Sequence, residues 1–226
     1  MKKLQFLVAD SETAGLGAEK RACEIALRLI DEDMNTLQEW DSLVDPEIPI
    51  NPAATLVNGI TDDMVRTAPT IKEFMPHVLG KPFDEDICLI AHNVAFDLPL
   101  IVESGIGNIT HIICTLELAR AYIPGPVNYK LQTLREFFNI PENNAHRALG
   151  DVDVCHQLLR KIVELSGRSL LQHAETEERV IHVMTFGKHA GKALFDLPLP
   201  YIQWLLALPD LDSNLRKSLE QARLLK

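Results

Sequence analysis

The sequence predicts an α/β fold, in which a central sheet is flanked by helices. Three apolar runs of strand length follow one another near the start, separated only by short loops. From residue 87 onward, strand-like runs alternate with apolar stripes of helical spacing. A polar stretch near residue 170 separates this body from a short C-terminal segment, so we expect one main domain and a small appended unit.

The first three strands are predicted from apolar runs bounded by turn-forming residues. Residues 4–9 form the first run, which ends in polar residues and indicates a buried strand. Residues 22–30 and 37–44 form the next two, and the polar segment 31–35 between them predicts a turn. The short connections favour an antiparallel meander.

The next segment is expected to be extended at first and then helical. Its prolines predict an extended stretch over residues 46–52. Thr61 is a suitable N-cap before two acidic residues, and Thr70 is a suitable cap for the following helix. The apolar face of that second helix is formed by Ile71, Phe74, Met75 and Val78.

Strands and helices alternate in the rest of the main domain. Strands are predicted at residues 87–91 and 112–114, and helices at residues 116–122, 131–138 and 147–165, with another helix beginning near Phe96. Pro99 is expected in the first turn of the helix that begins near Phe96, because the backbone N–H groups of a first turn have no hydrogen-bond partner within the helix and proline lacks this group. The main domain is therefore assigned to residues 1–166, a linker to 167–179 and a small C-terminal domain to 180–226.

The composition predicts a soluble, cytoplasmic protein without a membrane partner. No apolar run approaches the roughly 20 residues that span a bilayer, and the run after Met1 is too short for a signal peptide. The cysteines match no zinc pattern, so buried free thiols in a reducing compartment are expected. They are Cys23, Cys88, Cys114 and Cys155.

The net charge of -10 argues weakly against nucleic acid, because phosphate binding usually requires a basic surface. The charge is uneven, however. Residues 182–226 hold six Lys and Arg against four Asp and Glu, a net of +2, whereas the remainder holds 16 against 28, a net of -12. The acidic main body suits a partner held through bound cations, and the basic tail is suited to additional phosphate contacts.

Acidic side chains stand at the ends of two predicted elements. Asp10 and Glu12 are two residues apart at the end of the first strand and therefore point to one face, where they repel each other unless a cation lies between them. A solvated turn is the alternative. Asp97 begins a helix and shares its inward face with Leu100 and Ile101; simple stabilisation by the helix N-terminus is the alternative.

A third acidic residue, Asp151, extends the apolar stripe of the last main-domain helix. A carboxylate on that stripe needs a partner. His146 reaches the same centre only if its approach is not helical, and residues 143–144 favour such an entry; a surface histidine is the alternative. Together, the four carboxylates predict an oxygen-ligated Mg²⁺ or Mn²⁺ site rather than a zinc site.

These motifs resemble those of the DnaQ-like DEDDh exonucleases. The resemblance covers residues 4 to about 165 and rests on Asp10-Ser11-Glu12-Thr13-Ala14-Gly15, on His92-Asn93 with Phe96-Asp97, and on His146 with Asp151. Segments 58–61 and 131–134 also fall where the family has similar ones, with Asn58 standing where many members have His.

The resemblance implies a ribonuclease H-like fold and a metal-dependent nuclease. The fold would have a central mixed sheet of about five strands, the first three antiparallel, flanked by helices. The activity would be 3′→5′ hydrolysis of DNA, either single-stranded or at the 3′ ends of duplexes, with two Mg²⁺ (or Mn²⁺) ions. Asp10, Glu12, Asp97 and Asp151 would be catalytic metal ligands, and His146 the catalytic base.

The resemblance also implies substrate contacts near the active site and in the tail. Thr13 and Leu16 would contact the 3′-terminal nucleotide with Asn93 and Phe96 nearby, although Phe96 is equally suited to the core. The tail around residues 186–192 and 201–205 is similar to that of exodeoxyribonuclease X-type enzymes. Its glycine loop, with Lys188 and Lys192, is either a DNA contact or a tight turn in a small structural unit.

Three other functions remain open at this point. An exoribonuclease acting on short RNA would use the same chemistry. A non-catalytic nucleic-acid-binding or adaptor protein could use the same fold, although all five expected catalytic residues are present. A proofreading subunit would use residues 180–226 to bind a polymerase.

Overall fold

The structure is a computed structural model. It describes residues 4–17, 20–74, 86–106, 109–141, 145–176, 184, 187–189, 192, 194–208, 211 and 213–224. Several residues used in the sequence interpretation lie outside these ranges: 75, 78, 143, 144, 177–179 of the predicted linker, and 186, 190 and 191 of the tail. The chain divides into two compact units, Met1–Ala174 and Glu175–Lys226.

A five-stranded mixed sheet forms the centre of the first unit. Its strands are β1 (Leu4–Thr13), β2 (Ala22–Ile30), β3 (Thr36–Leu43), β4 (Asp86–Ala91) and β5 (Ile109–Cys114). They lie in the order β3-β2-β1-β4-β5, with β1–β2 and β2–β3 antiparallel and β1–β4 and β4–β5 parallel. The predicted α/β class, with three antiparallel strands leading a mixed sheet, is confirmed.

Helices flank this sheet, and two further helices lie in the described part of the second unit. In the first unit they are α1 (Pro52–Asn58), α2 (Asp62–Val65), α3 (Ile71–Phe74), α4 (Val94–Glu103), α5 (Thr115–Tyr122), α6 (Leu131–Phe137), α7 (Ala148–Ser166) and α8 (Leu170–Thr176). In the second unit they are α9 (Leu199–Leu206) and α10 (Ser213–Leu224), with 3₁₀ turns at Gly187–His189 and Leu194–Asp196. None of the described helices is long and apolar enough to cross a membrane.

Helix α7 connects the two main core regions of the first unit. Val152, Cys155 and Leu159 pack on the sheet with Phe6 and Val8 of β1. A second stripe on the same helix packs against α5 and α6. Because α7 packs against the sheet on one side and against α5 and α6 on the other, the residues of its first turn have a fixed position above β1 and β2. All four cysteines are buried, and none of them forms a disulfide bond.

Helix α1 was not predicted from the sequence. The expected extended stretch ends at Asn51, whose side-chain oxygen accepts a 2.9 Å hydrogen bond from the backbone N–H of Ala53. Pro52 then occupies the first helical turn, and Gly59 closes the helix with a φ of 72°. The Asn-Pro pair is a start signal that was obscured by the two preceding prolines, Pro46 and Pro49.

Helix α8 occupies part of the segment that was predicted to be a linker. Ser169 and Gln172 form reciprocal backbone–side-chain hydrogen bonds at its start, as in a capping box. Leu170 and Ala174 lie one turn apart and are buried against the main core. The predicted linker therefore contains a short helix, which its few apolar residues did not reveal.

Pro99 lies deeper in its helix than the sequence predicted. Helix α4 begins at Val94, so Pro99 is its sixth residue rather than part of the first turn. Asn93, with a φ of 67°, starts the helix immediately after β4. The early start places Asp97 in the first turn of α4, close to the carboxyl end of the sheet.

Candidate active site

Strand β1 places Asp10 and Glu12 beyond the end of its parallel neighbour. The pairing of β1 with β4 ends at Val8, opposite Ile90, whereas β1 continues to pair with β2 as far as Thr13. The two half-buried carboxylates therefore lie where the sheet opens at the carboxyl end of β4. Ligand sites of α/β proteins commonly form at this edge of a sheet.

Asp151 completes a group of three converging carboxylates. It lies in the first turn of α7 and is 8% exposed. One carboxylate oxygen from each of Asp10, Glu12 and Asp151 lies within 4.8 Å of the other two. Gln132 of α6 orients Asp151 by donating a 2.7 Å hydrogen bond from Nε2 to Oδ1. These distances suit ligation of one cation by three side chains from two elements.

Asp97 lies beside this group rather than within it. Its carboxylate is buried and accepts a 2.6 Å hydrogen bond from the Ser11 hydroxyl. Burial raises its pKa to about 7, although the Ser11 hydrogen bond and the positive charge of Lys20 oppose this increase. Asp97 is also the charged neighbour that does most to raise the pKa of Asp10. Asp97 therefore lies near Asp10.

The carboxylates of the group bind protons more strongly than isolated carboxylates do. Burial, followed by the charges of Asp97 and Asp151, raises the pKa of Asp10 well above its usual value. Burial raises the pKa of Glu12 to about 7, helped by Asp151 and Glu24 and opposed by a hydrogen bond from Asn58. This excess of negative charge favours a bound cation, which would replace the protons.

His146 stands at the entrance to α7 in a non-helical conformation. Its φ is 59°, and its side chain is exposed. Its backbone N–H is hydrogen-bonded to the carboxylate of Asp151, and its charge lowers the pKa of Asp151, which burial otherwise raises. The left-handed turn is the non-helical approach that the spacing of the two residues required.

Glu24 and Arg147 fix this turn to the sheet, and the sequence interpretation missed both. Glu24 of β2 is 1% exposed and faces Glu12 across the β1–β2 pair. The Nε atom of Arg147 lies 3.1 Å from each Glu24 carboxylate oxygen, and the backbone N–H of Ala148 donates a 2.8 Å hydrogen bond to Oε2. A glutamate inside a buried strand was the available signal, because such a residue requires a cationic partner.

A cavity of about 610 Å³ lies next to the carboxylates. Its wall is formed by β1 and the following loop, by α1, and by the start of α4: Thr13, Gly15, Leu16, Asn51, Ala53, Ala54, Val57, Asn58 and Phe96. Asn58 connects the cavity to the site, because its side-chain amide contacts both Glu12 and the backbone oxygen of Thr13. The contribution of α1 was missed together with the helix itself.

The predicted substrate residues are distributed over three places. Thr13, Leu16 and Phe96 line the cavity beside the carboxylates, and Leu16 is 75% exposed. Phe96 is half-buried with the Lys20 Nζ 4.2 Å above its ring, so it is a cavity wall rather than a core residue. Asn93 is exposed and lines a separate cavity of about 540 Å³ with His92 and Tyr129. Lys188 and Lys192 belong to the second unit.

Comparison with known proteins assigns the family. A family model described as "Exonuclease" matches residues 7–159, which is more than half of the chain. The chain belongs to this exonuclease family. A second model, named for a quorum-sensing-regulated virulence factor, matches residues 173–209. Exonucleases of this family depend on divalent metal ions, and the converging carboxylates supply a site for one.

Curated relatives of this exonuclease differ greatly in length. Exodeoxyribonuclease 10 of Escherichia coli K12 is 32% identical over 225 residues, which cover 94% of this chain and 96% of the relative. The PolC-type DNA polymerase III of Caldanaerobacter subterraneus is 33% identical over 165 residues, which cover 71% of this chain but 12% of the polymerase. The similarity to PolC therefore concerns only a small part of that protein.

Solved structures agree with the assignment. The exonuclease resembles Exonuclease X in complex with 5′ overhanging duplex DNA, with a TM-score of 0.60 and 30% identity over 75% of this chain and 98% of the other. E. coli Exonuclease I in complex with a dT13 oligonucleotide gives a TM-score of 0.59 at 18% identity, covering 73% of this chain and 42% of the other. The second comparison supports the shared fold.

We expect divalent ions to stabilise this exonuclease more at pH 8 than at pH 5.5. The folded-state pKa values of Glu12 and Asp97 are raised to about 7, so protonation stabilises the metal-free fold and this contribution is lost as the pH rises through 7. Protons also compete with metal for the same oxygens at low pH. Thermal melts in EDTA and in Mg²⁺ at both pH values would measure the difference; an equal metal-induced shift would contradict it.

Proposed function

We propose that the chain is a 3′→5′ exonuclease that removes nucleoside 5′-monophosphates from DNA with two bound Mg²⁺ (or Mn²⁺) ions. The main supporting observation is that Asp10, Glu12 and Asp151 converge within 4.8 Å beside a cavity of about 610 Å³. That volume lies within the roughly 300–1,000 Å³ of small-ligand sites, which suits a single terminal nucleotide. The catalytic domain is assigned to residues 1–166 and the small second domain to residues 180–226.

The carboxylates would hold the two ions in different ways. Asp10, Glu12 and Asp151 would bind one ion, and Asp10 with assistance from Asp97 would bind the other. Two divalent ions at such a site stabilise the attacking and leaving oxygens of the scissile phosphate. Ser11 and Gln132 would keep Asp97 and Asp151 in position through the hydrogen bonds described above.

His146 would accept a proton from the attacking water. Imidazole changes its charge near neutral pH and is suited to general base catalysis. The exposed side chain can reach a water molecule at the edge of the site, and the nearby Asp151 carboxylate would stabilise the cationic form that follows. The Glu24–Arg147 ion pair would hold the turn that presents the imidazole.

The 3′-terminal nucleotide would occupy the cavity next to the carboxylates. Leu16 and Phe96 offer apolar and aromatic surface for the base and sugar, and Thr13 lies directly after Glu12. Asn93 would lie near the preceding part of the strand. DNA is preferred to RNA because Exodeoxyribonuclease 10 is named for DNA and the Exonuclease X structure contains duplex DNA.

The polarity of digestion tests this function directly. With Mg²⁺, DNA labelled at its 5′ end is expected to give a ladder of shortening products, whereas DNA labelled at its 3′ end releases the label as a mononucleotide at once. Time courses on single-stranded and duplex DNA would show both results, with EDTA as the blank and matched RNA oligomers as the comparison. Digestion from the 5′ end, or faster digestion of RNA, would contradict the proposal.

A further inference from the structure

The second unit presents aromatic side chains on one face of a helix that is otherwise anchored in its own core. Ile202 and Leu205 of α9 are fully buried among the apolar residues of this unit. Tyr201 and Trp204 each precede one of these anchors and are three residues apart, so they share the adjacent face of the helix, from which Tyr201 also packs partly against the core. Trp204 is 55% exposed although Leu205 beside it is buried.

These side chains form a continuous surface, which we call the aromatic platform and define as His189, Tyr201 and Trp204. The rings of Tyr201 and Trp204 are stacked, with centroids 5.5 Å apart and an interplanar angle of 26°. His189 meets Tyr201 edge-on at 4.5 Å. The platform borders a cavity of about 600 Å³, which Lys188, Pro198 and Pro200 complete.

Two lysines lie beside the aromatic platform. The Nζ atom of Lys188 lies 5.3 Å from the centroid of the Tyr201 ring, and Lys188 is exposed. Exposed Lys192 is held next to His189, because its backbone N–H donates a 3.1 Å hydrogen bond to the His189 carbonyl. Residues 182–226 have a net charge of +2 in a chain whose net charge is -10.

One polar atom of the platform has no partner within the described part of the chain. The Nδ1 atom of His189 is buried and makes no hydrogen bond there. A buried ring nitrogen without a partner is costly unless a ligand or water supplies one. Nucleobases and phosphates offer both donors and acceptors, so a bound nucleotide could meet this requirement.

We infer that the aromatic platform of the second unit binds single-stranded DNA by stacking its bases on Tyr201 and Trp204, while Lys188 and Lys192 contact its phosphates. Stacked aromatic rings beside lysines are the combination that binds single strands without sequence preference. The choice of DNA rests on the proposed function. The platform would retain a strand independently of the carboxylates that hydrolyse it.

Tryptophan fluorescence in EDTA tests this binding without hydrolysis. Trp40 and Trp204 are the two tryptophans of the chain, so a full-length Trp40→Phe protein reports on Trp204 alone. We expect oligothymidylate to quench its emission, and blunt duplex to quench it less because paired bases are not free to stack. In anisotropy titrations of a labelled oligomer, Trp204→Ala should weaken binding about 10-fold or more. Lys188→Glu should also weaken binding, and its effect should be larger at low salt.

Two controls separate this inference from the nuclease proposal. Gln203→Ala changes an exposed neighbour on α9 and should bind DNA as the wild type does. Trp204→Ala should raise KM for long single strands while leaving hydrolysis of the p-nitrophenyl ester of thymidine 5′-monophosphate unchanged. Failure to hydrolyse that ester would contradict the nuclease proposal alone. Absence of quenching, or wild-type affinity in Trp204→Ala, would contradict DNA binding by the aromatic platform and would favour a protein partner for this surface.

Discussion

Asp10→Asn and Asp151→Asn should each reduce DNA hydrolysis by about 10³-fold or more. Each change removes one of the three carboxylates that lie within 4.8 Å of one another, and with it a charge that holds the cation. Loss of metal-ion stabilisation of the transition state costs several kcal/mol, and about 4 kcal/mol corresponds to about 10³-fold in rate. Single-turnover digestion of 5′-labelled single-stranded DNA would measure this loss.

The same variants should remain folded and should be more stable than the wild type in EDTA at pH 8. Burial raises the pKa of both Asp10 and Asp151, and neighbouring carboxylates raise that of Asp10 further, so the ionised forms weaken the metal-free fold at that pH. An amide of the same shape removes this cost. Asp33→Asn in the exposed β2–β3 turn is the matched control and should change neither activity nor stability. Retained activity in both site variants would contradict the assignment.

His146→Ala should lower kcat by about 10²- to 10⁴-fold, the usual contribution of a general base. The binding of divalent ions should be nearly unchanged, because the three carboxylates and the Glu24–Arg147 anchor remain. At saturating Mg²⁺, where protons no longer compete with metal for the carboxylates, the activity of the wild type should fall at low pH because the base is protonated, and the variant should lose that limb of its pH profile. Rates measured from pH 5.5 to 9 would show the difference.

Chemical rescue separates a catalytic His146 from a structural one. Added imidazole should restore part of the activity of His146→Ala, because a small base can occupy the space left by the exposed side chain. His111→Ala, on β5, is the control and should retain its activity and show no response to imidazole. An unchanged pH profile in His146→Ala would exclude His146 as the base.

The sheet and the carboxylate site could both be predicted from the sequence because both are visible in the pattern of apolar residues. Strand β2 was predicted with its observed limits because Ala22–Ile30 is an uninterrupted run of mostly apolar residues between polar turns. Asp10, Glu12 and Asp151 each interrupt an apolar pattern at the end of an element, and such residues need a partner in the folded state. The pattern therefore indicated both where the chain is buried and where burial is incompatible with an isolated charge.

Features that depend on contacts between distant segments were not predictable in this way. The role of Glu24 depends on Arg147, which lies more than a hundred residues away, and neither residue indicates the other. Helix α1 is about two turns of weakly patterned sequence, yet it forms a wall of the nucleotide-sized cavity through Ala54 and Val57. Short helices of this kind are stabilised by tertiary packing, which a local pattern does not reveal.

The convergence of Asp10, Glu12 and Asp151 on a divalent cation is tested most directly by calorimetric titration of Mn²⁺ at pH 7 without nucleic acid. Repeating the titration in buffers of different ionisation enthalpy counts the protons released. We expect the wild type to bind Mn²⁺ and release protons, because Glu12 and Asp97 have pKa values of about 7 in the metal-free fold. A variant with both Asp10→Asn and Asp151→Asn should show neither effect, whereas isotherms identical to those of the wild type would contradict the proposed metal site.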